Sequence, residues 1–139
     1  MALTANRDLP RLVDQDIREF PVATNVKIYK GALLSIRSTG YVGPLVAAEQ
    51  FAGVAYEEVD NTGGANGAKK VKAFVRGGFE HALASAAVTD LGDAVYASAD
   101  DTITKTSASN TFIGKIVEYA GTNLVKVDID TAFGQIAAP

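Results

Sequence analysis

The chain has 139 residues, 47% hydrophobic and 21% charged, with a formal net charge of −3 and a pI near 5.1. This is the composition of one soluble globular domain able to bury roughly two-thirds of its unfolded surface, and it excludes global disorder. The acidic balance argues against nucleic acid as a direct partner, and the absence of cysteine excludes disulfides, thiolate metal sites and cysteine catalysis.

The N-terminus, Met1 to Asp8, has no apolar core of signal-peptide length, and no run approaches the ~18 apolar residues of a membrane span. The expectation is a protein made and kept in the cytoplasm, or leaving by a route other than secretion, with no membrane partner. Residues 1–23 read as an N-terminal arm, dense in charge of both signs and carrying Pro10 and Pro21. Leu9, Leu12, Val13 and Ile17 mark one or two turns of amphipathic helix, which Pro21 stops. Two readings of the arm stay open: a disordered tail, or a segment that orders on a partner or a neighbouring subunit.

From Val26 onward the hydrophobic period is two. Val26 to Lys30 alternates, Ala32 to Ile36 is a short apolar strand, and Ser38-Thr39-Gly40 is a turn. Tyr41-Val42 is a brief return before Gly43-Pro44, and Phe51 to Glu57 is a strand interrupted by Gly53. Asn61 to Gly67 reads as a flexible hairpin tip, followed by a strand over Lys69 to Arg76 with Val71, Ala73 and Val75 on one face. Residues 80–90 are alanine-rich and predict a short helix. Strands then follow over Ala94 to Ala97, Thr102 to Lys105, Phe112 to Tyr119 and Asn123 to Ile129, and residues 132–139 form a tail. Turn signals every 8 to 12 residues and the lack of long helices predict an all-β domain over 24–131, a small barrel or sandwich.

A repeat runs through this pattern. Gly31, Phe51 and Gly53 return as Gly92, Phe112 and Gly114, each at an offset of 61 residues. One β-unit of about 60 residues is present twice. The arm, the hairpin around 61–76 and the stretch 80–90 have no visible counterpart in sequence.

Few residues suggest chemistry. His81 is the only histidine and reads as an ordinary surface residue. Asp128 and Asp130 share one face of a strand whose other face is Val125, Val127 and Ile129, and they read as its solvent side rather than a cation site. Gly63-Gly64-Ala65-Asn66-Gly67 lacks the Gly-Lys-Ser/Thr ending and the following helix of a phosphate cradle. Lys69, Lys70, Lys72 and Arg76 form a basic cluster, which either discourages edge-to-edge strand pairing or docks to an acidic surface. No nucleophile-elbow sequence is present. These readings predict no enzyme, no cofactor and no metal.

Four pieces in order carry a resemblance. They are Phe51-Ala52-Gly53-Val54-Ala55, a lysine-rich strand ending Val75-Arg76-Gly77-Gly78, Leu91-Gly92-Asp93-Ala94-Val95-Tyr96, and Phe112-Ile113-Gly114-Lys115-Ile116-Val117-Glu118 followed by Val125-Lys126-Val127. Over residues 25 to 130 the chain resembles the tailed-phage capsid decoration (cement) proteins. The resemblance implies a β-tulip-like domain that forms homotrimers on the outside of an expanded head. There it would clamp neighbouring subunits of the major capsid protein lattice, so that the protein is a virion component made in the host cytoplasm. The family pattern does not reach residues 1–23. Candidate capsid or subunit contacts are Arg7, Leu9, Pro10, Arg11, Leu12, Ile17 and Arg18 in the arm, and Lys69, Lys70 and Lys72 beside the hairpin. Two alternatives stand beside this reading. One is a head-fibre base or tail accessory protein. The other is a small-ligand-binding β module using Tyr41, Tyr56, Tyr96 and Tyr119.

Overall fold

A computed structural model describes residues 2, 4–7 and 16–131. The strands are β1 (Ile17–Pro21), β2 (Lys27–Ile28), β3 (Leu33–Ile36), β4 (Val42–Pro44), β5 (Gln50–Ala55) and β6 (Val59–Asp60). They continue as β7 (Lys70–Phe74), β8 (Arg76–Ala82), β9 (Ala94–Ala99), β10 (Thr102–Thr104), β11 (Thr111–Gly121) and β12 (Leu124–Asp130). Two five-stranded antiparallel sheets result, ordered β1-β7-β5-β3-β4 and β10-β9-β11-β12-β8, with β2 and β6 pairing as a separate ribbon. The all-β expectation holds. Neither sheet closes into a barrel among the described residues, although the second curls until β10 and β8 come within 8 Å (Cα–Cα).

One expectation needs correction. The alanine-rich stretch 80–90 is not an α-helix: β8 runs through Ala82, and the stretch holds one 3-10 turn, Val88–Asp90. Alanine propensity is a weak prior; here Phe79 and His81 alternate onto the inner face of the second sheet and lie opposite Val127 and Val125. Part of the arm is in a strand. Ile17 to Pro21 form an edge strand in register with β7, from Ile17 opposite Phe74 to Pro21 opposite Lys70. The helical turn expected over Leu9 to Val13 falls outside the described residues, and Ile17 opens a strand.

The repeat is realised pair for pair. Leu33, Leu34, Ser35 and Ile36 lie opposite Val54, Gly53, Phe51 and Gln50, with a bulge that skips Ala52. At an offset of 61, Ala94, Val95, Tyr96 and Ala97 lie opposite Lys115, Gly114, Phe112 and Thr111, and the bulge skips Ile113. The counterparts extend beyond what the sequence displays. Strand β1 on β7 repeats as β8 on β12, with Arg18 opposite Ala73 matched by Phe79 opposite Val127. After the hairpin tip the offset falls to 54, so Val54 opposite Phe74 becomes Lys115 opposite Asp128. Both sheets therefore have the same strand order and register, and only the ribbon is unique to the first.

The two copies stack head to tail. One face of the first sheet (Leu33, Phe51, Val54, with Phe74) packs into the inner face of the second (Val95, Ile113, Ile116, Val125, Val127, Ile129). The other face of the first sheet (Leu34, Ala52, Val71, Ala73) is covered by Ile28 of β2, with Val26 and Val59 beside it. Burial on both faces explains why β3 and β5 show no alternation of apolar and polar residues, whereas β12, solvated on one face, alternates. The chain passes between sheets at Val75. Its N–H donates to the Asp16 carbonyl, and its carbonyl accepts from Thr131 N–H.

Candidate functional site

The sequence-derived contact residues fall into three groups. Arg7 is exposed. Leu9, Pro10, Arg11 and Leu12 lie outside the described residues. Ile17, Lys70 and Lys72 share one face of the β1–β7 ladder, with Lys69 at its end beside the hairpin tip, whereas Arg18, opposite Ala73, is on the other face.

On this ladder the lysines stand among acids. Lys70 Nζ lies 4.0 Å from Glu19 Oε1, and Arg76 Nη2 lies 3.1 Å from Asp16 Oδ1. Lys69 Nζ donates to the Asp60 carbonyl at 2.7 Å. Lys72 has no ion pair among the described residues, and its backbone N–H donates to Glu57 Oε2 at 3.2 Å. Next to it the ring of Tyr56 meets Phe74 edge-on at 5.2 Å between centroids. The cluster is thus a mixed-charge strip bordered by an aromatic pair. The acids beside Lys70 and Arg76, Glu19 and Asp16, are remote in sequence, so the linear cluster of four cations overstates the local field.

The hairpin tip is tied down by side-chain hydrogen bonds. Asn61 is 2% exposed, and its Nδ2 donates to the Ala23 and Ala65 carbonyls at 2.8 and 3.1 Å. Asn25 Oδ1 accepts from Gly63 N–H, and Asn66 Oδ1 accepts from Thr24 N–H. Thr24 Oγ1 donates to the Gly64 carbonyl at 2.7 Å. A Cβ on Gly64 would strike the Asn61 side chain, so glycine allows this close approach. The asparagines fasten the tip to residues 22–25, which are adjacent in space but about forty positions away in sequence. Asp60, which accepts from Thr62 N–H, is held below the usual carboxylate range chiefly by hydrogen bonds from Thr62 and less by Lys27 and Lys69.

A second surface was missed because the sequence reads as helix there. Val88 (60% exposed) opens the 3-10 turn that packs against β11, Leu91 (48%) follows it, and Val117 (54%) lies on β11 itself. Beneath them Asp90, a buried acid, accepts from Lys105 Nζ at 2.6 Å and from Ala87 N–H at 2.9 Å. The Lys105 hydrogen bond holds the Asp90 carboxyl below its ordinary value and raises that of Lys105.

The remaining candidates are placed as follows. His81 is not an ordinary surface residue. It points to the inner face of the second sheet, opposite Val125, with Nε2 buried and unpartnered, and burial lowers its pKa. Asp128 is exposed, while Val125, Val127 and Ile129 are fully buried, as expected. Tyr96 is buried against Phe112 and Tyr56 packs on Phe74, whereas Tyr29, Lys30, Gly31, Ala32, Asp100 and Asp101 line a shallow cleft. The tyrosines proposed for a ligand site do not line that cleft. Among the described residues no helix is long and apolar enough to cross a membrane.

A family model described as phage cement protein matches residues 13–130, which take in all twelve strands. The chain belongs to the phage cement protein family. The family is a structural one rather than a family of enzymes, and membership implies binding to a phage capsid and a place on the virion. No curated protein matches the chain by sequence. Among solved structures, the crystal structure of the head fiber gp8.5 N base of bacteriophage phi29 is similar, with a TM-score of 0.52 and 18% identity. The likeness covers 83% of this chain and 95% of that one and establishes a shared fold.

Proposed function

We propose that this protein is a homotrimeric decoration protein with a β-tulip-like domain that binds the outer surface of an expanded phage head and stabilises it without catalysis. The observation that carries the proposal is the family match across residues 13–130. A small protein stabilises a shell by binding the assembled lattice better than the dissociated subunits, and many symmetric copies multiply a modest free energy per site. Three chains would present three arms together, raising their effective concentration.

The contact surface in this reading is the arm, including Arg7, Leu9, Pro10, Arg11 and Leu12, continued by Ile17 and Arg18 of β1 and by Lys69, Lys70 and Lys72. The mixed charge of this strip suits register-setting contacts with a polar surface. The exposed Val88, Leu91 and Val117 supply the apolar area that a subunit contact requires. The test is co-sedimentation with expanded heads and with unexpanded shells. Retention on expanded heads with a raised disruption temperature is expected, and no retention contradicts the proposal. The native mass is expected near three times 14.5 kDa.

A second reading, a head-fibre base, is favoured by the fold shared with the phi29 head fiber base. Imaging separates the two: a fibre base leaves a projecting rod on the head, and a decoration protein leaves a low cap. A hexameric ring in solution would point instead to a tail accessory role.

A further inference from the structure

The head-to-tail stacking of two equal sheets poses a physical problem. The inner face of the second sheet is filled by the back of the first. By the same geometry the inner face of the first sheet, with Leu34, Ala52, Val71 and Ala73, fits the back of a further stacked sheet, and none is present among the described residues. A head-to-tail contact of this kind does not close on itself, so an uncovered face would recruit the back of another molecule and grow into a chain. Stacked repeats are soluble only when their terminal faces are capped.

Both ends differ from the repeat. Fourteen residues stand between Ala55 and Lys70, but only seven between the counterparts Ile116 and Leu124. The longer connection contains β6, which pairs with β2 and lays Ile28, Val26 and Val59 over the inner face of the first sheet. In the second copy the position of β2 is taken by the 3-10 turn Val88–Asp90, and no β6 exists. At the opposite end, three apolar positions on the back of the first sheet (Leu33, Val54, Phe74) become Ala94, Lys115 and Asp128 on the back of the second, while Phe51 is kept as Phe112, which is buried beside Tyr96.

We propose that the β2–β6 ribbon is a built-in cap that occupies the place of a third stacked sheet, and that Lys115 and Asp128 close the other end, so that one chain cannot polymerise through its repeats. The surface beneath the ribbon is specific for one occupant, the back of a sheet like the first one of this chain. This inference concerns the chain alone and does not depend on where it binds.

The test uses two variants of the full chain carrying different affinity tags. In one, Tyr56–Lys69 is replaced by the shorter Val117–Asn123 sequence, which removes β6. In the other, Ala94→Leu, Lys115→Val and Asp128→Phe transfer the back of the first sheet onto the second. Mixing the two is expected to give a complex containing both tags, absent when either is mixed with wild type. Both changes in one chain are expected to give open-ended oligomers that lengthen with concentration. Should the shortened chain fail to fold, Ile28→Ala with Val59→Ala loosens the ribbon in place. Faster amide exchange in β2 and β6 should then accompany capture of the second variant. Folded, ribbon-free or ribbon-loosened protein that never captures the apolar-backed variant overturns the proposal. So does polymerisation of the apolar-backed variant with the ribbon intact.

Discussion

Gly53 and Gly114 are the same residue of one structural unit seen twice. A Cβ on Gly53 would collide with the carbonyl oxygen of Phe74, and a Cβ on Gly114 with that of Asp128; these two carbonyls are themselves counterparts across the repeat. Each glycine sits beside a bulge, where the strand must approach its neighbour more closely than any side chain permits.

Replacing either glycine by alanine forces a strand apart. Gly53→Ala and Gly114→Ala are each expected to cost about 1–3 kcal/mol by overpacking. Gly53 has the larger cost because its φ of +142° is itself unfavourable for a side chain. Chemical denaturation measures both. Equal wild-type stability in the two variants would show that the close approach relaxes at no cost.

Asn61 holds the hairpin tip through two side-chain donors to backbone carbonyls. Asn61→Ala leaves the buried Ala23 carbonyl without this donor, whereas the exposed Ala65 carbonyl keeps the Ala68 N–H, and is expected to destabilise by about 1–3 kcal/mol. Amide exchange should quicken first at Gly63, Gly64 and Gly67, before the β11–β12 hairpin is affected. Uniform quickening across the molecule would mean that the tip is not an independent local unit.

Acid acts on the Asp90–Lys105 pair. The folded carboxyl is depressed, so its contribution is present above the unfolded value, about 3.9. That contribution is lost as the pH falls through the folded value. The raised Lys105 contributes below its unfolded value and loses that contribution as the pH rises through the folded one. Asp90→Asn is expected to lower the urea midpoint at pH 7, with the gap to wild type closing as the pH approaches 2. A gap constant across that range would remove the ion pair from the account.

His81 behaves in the opposite region. Burial depresses its folded pKa, so the unfolded chain takes up the proton first, and stability is lost as the pH falls below about 6.5. The first copy supplies the replacement, since Phe20 stands at the equivalent position. His81→Phe is expected to be at least as stable as wild type at pH 7 and to flatten the profile between pH 7 and 5. An unchanged slope would locate the titration elsewhere.

Much of the scaffold was legible because alternation and glycine spacing are local signals. Strands β3, β5, β7, β10, β11 and β12 lie within a few residues of the runs read from the sequence. Gly31, Phe51 and Gly53 exposed the repeat because a turn and a bulge constrain residue identity. Strands β1 and β8 are counterparts that share Glu19 and Glu80 but little else, because an edge strand is held by backbone pairing that tolerates most side chains. Residues 80–90 misled because alanine favours a helix locally, while the pairing with β12 is decided by residues some forty positions away. The basic cluster and the tip misled for a related reason. Glu19 and Asp16 temper the charge, and Thr24 and Asn25 hold the tip, all from distant parts of the sequence.

The central claim, a decoration protein on the capsid exterior, is tested most directly by cryo-electron microscopy of expanded heads with and without the purified chain. Added density is expected on the outer surface at three-fold or quasi-three-fold positions, low in profile and large enough for three copies of the stacked sheets. Heads that acquire no external density at saturating protein would contradict it.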